Sequence, residues 1–283
     1  MPSEERDGFW YFPKKGALKG EREYKNFGIH VDIFDFDQFS SESYVEAFHK
    51  LIEAKPSAVV IAPVFLKETV QLIKELECLK IPYVFINVEI NELDALSFIG
   101  QDSFAGGIMC AKMLDLICPQ NSEFVIVDFR QNVDNYSSIL NRIKGFKAYL
   151  LENDVQTPVV RINLDADHKE LQIVSELNRA IKDKSKMYGF FVPSSKIHLI
   201  ASCLTDEQKS RTKLIGFDTI PKNVKHLRNK TIDFLINQKP TDQGYKGIQI
   251  LAQYLIYNEI PKKKHLSPIE LITQENIDFI DFE

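Results

Sequence analysis

Short runs of β-branched and aromatic residues alternate with amphipathic helical stretches along almost the whole chain, and few folds satisfy that alternation. Residues 58–62 (AVVIA) are apolar without interruption, as a parallel strand covered on both faces must be. Further strands are expected at 83–86, 97–100, 124–129, 159–162 and 189–192, and at Leu214 and Ile215, which stop at Gly216. Residues 29–36 alternate apolar and polar, so a strand is expected there too. Between the strands lie helical patterns. The first spans 9–24, with Trp10, Ala17 and Tyr24 seven apart, Pro13 near its start and Gly28 beyond its end. Ser40 and Ser41 can cap a helix carried by Tyr44, Phe48 and Leu51; Val70, Ile73 and Leu76 carry the next. Ser103 is expected to cap a helix through Leu116, and others cover 136–151, 169–182 and 197–204. Strands and helices in turn imply parallel sheets with helices on both faces.

The stretch 213–256 is the most informative. Its first strand stops at Gly216, which offers Asp218 just beyond the carboxyl end, where open α/β sheets bind ligands. Pro221 then opens a short amphipathic segment through Val224 and Leu227, residues 231–235 form another strand, and Gln238 follows. Beyond Pro240, Ile248, Leu251 and Leu255 mark a long helix over 242–256.

Composition narrows the function. A chain of 283 residues suits two lobes or one large α/β domain. No run approaches the roughly 20 apolar residues of a membrane span, so no membrane partner is expected. A net charge of -5 argues against a chain that grips DNA through its own surface, since phosphate contacts need clustered Lys and Arg; the basic run 262–264 is expected to be a solvated loop. The first seven residues are acidic and polar, so no secretory signal is expected. Cys78, Cys110, Cys118 and Cys203 lack a CxxC, which suits reduced thiols in the cytoplasm and no metal site. No dinucleotide, P-loop, serine-hydrolase or zincin motif occurs, so neither a cofactor nor a catalytic residue is expected. Asp35 and Asp37 in IFDFDQF resemble the aspartate pair of haloacid-dehalogenase phosphatases, but Phe39 breaks the pattern and no later acidic pair completes it. Two solvent-edge carboxylates are the better reading.

FIGQDSFAGG, LNRIKGFKAYL, LIGFDT and NQKPTDQGYKGIQIL together resemble the LacI family of sugar-responsive repressors and the sugar-binding proteins that share its two-lobed fold. The resemblance implies an α/β, periplasmic binding protein type I-like fold. Its two similar, doubly wound lobes have parallel sheets, one lobe being 1–118 with 238–258 and the other 119–237 with 259–283. It implies ligand contacts from Asp102, Arg142, Asp218 and Gln238, with the aromatic residues Phe9 and Trp10 covering the apolar face of a sugar. Arg130 could add a second cation. Where many relatives carry Asn and Asp, this chain has Pro193, Ser194 and Ser195, which points away from the family's commonest pentoses and hexoses. Only Met1, Pro2 and Ser3 precede the acidic loop before Phe9, so the chain is expected to begin after the family's first, central strand. The helix-turn-helix headpiece is not in this stretch either, and operator DNA would be a partner only of a longer form. The function implied is the effector-binding and dimerisation region of a LacI-type regulator, a homodimer taking a small sugar-like effector. The alternative is the substrate-binding protein of a sugar transport system.

Overall fold

In the computed structural model, which describes residues 1–4, 6–90, 92–129, 137–164 and 169–280, the chain divides into two α/β units. The first takes Met1–Gln101 and Lys239–Pro268; the second begins at Asp102, takes in Ser138–Gln238 and ends with the residues after Pro268.

In the first unit, α1 (Tyr11–Tyr24) ends in a single 3-10 turn and Gly28, whose φ of 82° is the left-handed stop that glycine adopts without strain. α2 (Ser41–Glu53) starts at Ser40, whose hydroxyl accepts from the Ser43 N–H. β1 (Val59–Ile61), α3 (Leu66–Cys78), β2 (Tyr83–Ile86) and β3 (Ser97–Gly100) follow. The chain re-enters the unit with α10 (Pro240–Tyr257) and β9 (Lys264–Leu266). The sheet runs β1-β2-β3-β9 and all its pairs are parallel. α1 lies against α10 with almost no space between backbones: a Cβ on Gly16 would sit 1.9 Å from the Thr241 carbonyl oxygen, and one on Gly244 1.9 Å from that of Pro13.

The second unit contains α4 (Ser103–Ile117), β4 (Glu123–Asp128), α5 (Ser137–Glu152), β5 (Val159–Asn163), α6 (Glu170–Ala180) and β6 (Tyr188–Val192). α7 (Ile197–Cys203), α8 (Asp206–Lys209), β7 (Thr212–Phe217), α9 (Pro221–Arg228), β8 (Phe234–Asn237) and β10 (Glu270–Ile272) complete it. The strand order is β10-β8-β7-β6-β4-β5, parallel except for β10, which runs antiparallel to β8. All five residues of β6 are buried, and Val127, Phe190, Val192 and Leu214 belong to one core cluster. Side chains of this kind contribute about 1.5 to 3 kcal/mol each when fully buried.

Several expectations are corrected. The division falls after Gln101 rather than at 118, because α4 packs on β6 and β7 of the second unit. The tail also divides differently: β9 pairs with β3, so residues through Pro268 belong to the first unit, and Lys264 starts a strand rather than sitting in a loop. Among the described residues, 29–35 form no strand: the one bridge beside them joins Phe36 to Pro2, and no neighbouring strand pairs with 29–35 themselves. β8 lies at 234–237 rather than 231–235, since the turn bonds of Thr231 and Ile232 to the His226 carbonyl keep the chain folded back until Asp233. Asp102, not Ser103, caps α4. Arg130 and Tyr136 lie outside the described residues.

Candidate functional site

At the carboxyl ends of β7 and β8, three side chains from distant parts of the sequence form one hydrogen-bonded chain. Arg142, on α5, donates from Nη2 to Oε1 of Gln238, and Gln238 donates from Nε2 to Oδ1 of Asp218 at 2.7 Å. The three residues are 4, 3 and 3% exposed. Arg142 also donates from Nη1 to the Pro193 carbonyl at 2.8 Å, and its guanidinium carbon stands 3.7 Å from the centre of the Phe217 ring. A planar cation stacked on an aromatic face with both terminal nitrogens bonded is held in one orientation, which a lysine could not reproduce. The carboxamide of Gln238 is fixed in turn, because it accepts on one side and donates on the other.

Local backbone places these groups. Asp218 follows the last residue of β7 and turns left-handed, φ 72°, with its N–H on the Ile236 carbonyl at 2.8 Å. Asn223, on α9, secures that turn. Its Nδ2 lies 2.8 Å from the Asp218 carbonyl and 3.0 Å from those of Phe217 and Ser195, while its Oδ1 accepts from the His198 N–H at 3.2 Å. A fully buried carboxamide thus ties the end of β7 to the 193–195 turn that bonds Arg142. The position of Arg142 is fixed by glycine: a Cβ on Gly107 of α4 would lie 1.9 Å from the Arg142 carbonyl oxygen, and one on Gly145 of α5 2.0 Å from that of Phe104. The small residues in FAGG and RIKG let α4 and α5 touch backbone to backbone.

Of the residues expected to contact a ligand, Arg142, Asp218 and Gln238 are brought together. Asp102 lies in the same unit at the start of α4, exposed, with Oδ1 accepting from Ala105 N–H at 2.9 Å. Phe9 and Trp10 belong to the first unit, both buried and edge to face at 5.0 Å, with the Trp10 N–H on the Glu4 carboxylate at 2.6 Å. Asn223, Phe217 and the Pro193 carbonyl were not anticipated. The one available signal was Asn223 itself, an amide four residues before Leu227 on the apolar face of a short helix. Asp35 is paired with Lys14, and Asp37 accepts from the Phe39 N–H at 2.9 Å, so both have structural partners. Among the described residues no group of three or more His, Cys, Asp or Glu could hold a metal ion, and no helix is long and apolar enough to cross a membrane.

Chemically, the arrangement offers a fixed donor fork, a carboxylate acceptor and a carboxamide between them, all shielded from solvent. That set suits adjacent hydroxyls, which donate to the carboxylate and accept from the guanidinium.

A family model described as periplasmic binding protein domain matches residues 1–259. A solved structure from Bacteroides fragilis, named provisionally as a LacI transcriptional regulator, is 30% identical with a TM-score of 0.90, covering 99% of this chain and 96% of its own. GanP, a glucose-galactose binding protein from Geobacillus stearothermophilus, is 18% identical with a TM-score of 0.82, covering 98% of this chain and 96% of its own. An ABC transporter solute binding protein from Agrobacterium vitis, solved with α-D-tagatopyranose, is 21% identical with a TM-score of 0.82, covering 98% and 94%. Comparison with curated proteins gives no match.

Proposed function

As the chain belongs to the periplasmic binding protein domain family, we propose that it binds a sugar or sugar derivative as the effector-binding region of a LacI-type transcription regulator. The buried Arg142–Gln238–Asp218 chain is the observation that carries the ligand class. The chain holds its guanidinium, carboxamide and carboxylate in fixed positions, which suits a polar ligand that pairs with several of them at once. The sugars in the names of the Geobacillus and Agrobacterium proteins support the same class. The regulator is favoured over the transport protein by the 30% identity with the Bacteroides protein along nearly its full length, against 18 and 21% for those two. The cysteines fit a reducing cytoplasm: all four are free, and burial raises the thiol pKa of Cys118 to about 11 and pushes that of Cys110 up further. In this reading the protein is a homodimer and meets operator DNA through a headpiece outside the residues described.

The second reading, a substrate-binding protein of a sugar transport system, has the solute binding proteins among the structural neighbours in its favour. Light scattering separates the two: a dimer supports the regulator, and a monomer at high protein concentration supports the transport protein.

A thermal-shift screen of neutral sugars and sugar acids tests the ligand class, since a ligand at 100 times its dissociation constant stabilises by about 2.7 kcal/mol. Against a ligand so found, Arg142→Ala and Asp218→Ala should each weaken binding by roughly tenfold to a hundredfold, as loss of a charged hydrogen bond of about 1.5 to 3 kcal/mol requires. Unchanged calorimetric affinity in both variants would place the site elsewhere.

A further inference from the structure

Asn223 can hold the Asp218 turn only while its carboxamide keeps one orientation, and five contacts decide it. Nδ2 faces the carbonyls of Asp218, Phe217 and Ser195, while Oδ1 faces the backbone N–H of His198 at 3.2 Å and its ring nitrogen Nδ1 at 2.9 Å. Turned end for end, the group would set its oxygen against three carbonyl oxygens and its NH2 against an N–H. At 0% exposed, Asn223 has no solvent to satisfy it in that orientation.

The same contacts fix the proton on His198. Oδ1 of Asn223 can only accept, and so can the Ser195 carbonyl, 3.2 Å from Nδ1. Nδ1 is therefore the ring nitrogen that carries the proton. His198 is the second residue of α7 and half-buried, and α7 is itself set against β7: a Cβ on Gly216 would lie 2.8 Å from Cδ1 of the fully buried Ile197. The imidazole thus reaches Asn223 from a fixed base. A second imidazole, His226 on α9, joins the same two helices further along. Because Ser202 Oγ gives its proton to the His198 carbonyl at 2.8 Å, it accepts from His226 Nε2 at 3.1 Å. That contact bears on the packing of α7 and α9 and not on the Asn223 carboxamide.

We propose that His198 is a positioning residue for the sugar site: by donating from Nδ1 to Asn223 it keeps the carboxamide facing the Asp218 carbonyl, and so keeps the Asp218 carboxylate where Gln238 reaches it at 2.7 Å. That the site takes a sugar rests on the function proposed above; that His198 positions it does not. Removing the Nδ1 donor leaves Asn223 Oδ1 with the backbone N–H at 3.2 Å. The Asp218 turn is then held less firmly where its left-handed φ of 72° most needs support. Arg142 is coupled to the same device. The Ser195 carbonyl, which receives both Asn223 and His198, lies two residues from the Pro193 carbonyl on which Arg142 rests.

The test uses the full chain with no sugar present, so its outcome is independent of which ligand the site takes. At about pH 8, where unperturbed imidazoles are neutral, nitrogen NMR of the parent protein should find the His198 proton on Nδ1. Two readouts are then followed in four variants: hydrogen exchange at the Asp218 amide, which donates to the Ile236 carbonyl, and the chemical shifts of the Gln238 side-chain NH2. His198→Asn places a donor where Nδ1 stood and should exchange within about twofold of the parent. His198→Phe keeps a ring and loses the donor, and His198→Gln carries its amide nearer the Nε2 position. Both should exchange about fivefold faster or more and shift the Gln238 signals. His226→Phe, on the same pair of helices, should leave both readouts at the parent's values. A His198 proton on Nε2, a Phe variant as protected as the parent, or an Asn variant as fast as the Phe variant would overturn the proposal. So would an equal loss in His226→Phe, which would make His198 a packing residue of α7 and α9.

Discussion

Asp218 joins two demands that usually conflict, a left-handed backbone at φ 72° and a side chain with a task in the buried hydrogen-bonded chain. Asn tolerates that conformation and Val does not, so the two replacements separate geometry from charge. Asp218→Asn should unfold within about 1 kcal/mol of the parent yet bind ligand more weakly, whereas Asp218→Val should lose about 1 to 3 kcal/mol in thermal or urea denaturation. Arg142→Lys is a second discriminating change: one ammonium cannot reach the Pro193 carbonyl and Gln238 in the same plane while stacked on Phe217, so affinity should fall although the charge is kept. The amino terminus predicts a pH dependence. Burial lowers the Met1 amine from 8.0 to about 5, so between those values the unfolded chain binds more protons than the folded one and stability rises with pH. Its contribution is complete above about pH 8 and lost as pH falls through 5; acetylating Met1 should remove that part of the slope in denaturation curves recorded across the window. Asp218, Gln238 and Arg142 were legible because they stand in recognisable motifs at strand ends and on a helix. The Pro193 carbonyl was not, since every residue has one and no letter of the sequence says which will be turned inward.

Helices and strands differ in how openly the sequence declares them. β6 and β2, with every residue buried, are written as unbroken apolar runs and were placed to within a residue. Residues 29–36 show the limit of such reasoning: period-two alternation records which side chains seek cover, but a strand also needs a neighbour for its backbone, and periodicity carries no information about that. β9 and β10 escaped notice because each is three residues long and lies at a sheet edge, where polar side chains are tolerated. The glycine contacts between α4 and α5 give a prediction at this scale. Gly107→Ala brings a methyl group against the Arg142 backbone, so the helices must part. The change should cost roughly 1 to 3 kcal/mol, read as a lower Tm, and should weaken ligand binding by shifting the Arg142 backbone while leaving every side chain of the proposed site unaltered.

Across the whole molecule, the order in which the chain is made does not match the order in which its parts can be finished. α1 packs on α10, at a glycine contact that joins Gly16 to the Thr241 carbonyl, and β3 takes β9 as its outer neighbour. Both partners come after residue 238, beyond the whole of 102–238, which carries every strand of the second unit except β10. A nascent chain that has exposed only its first hundred or so residues therefore holds three strands and an apolar helix face with nothing to lay against it. The second unit waits only for β10 and the short segment after it, which close one edge of its sheet. Force measurements on ribosome-bound chains of increasing length should show a first folding event once residues up to about 238 have emerged and a second after about 272; a strong event with only 1–101 exposed would contradict this. During synthesis the first third of the chain is then the part that stays longest without its partners, exposed until the residues up to about 268 have followed it.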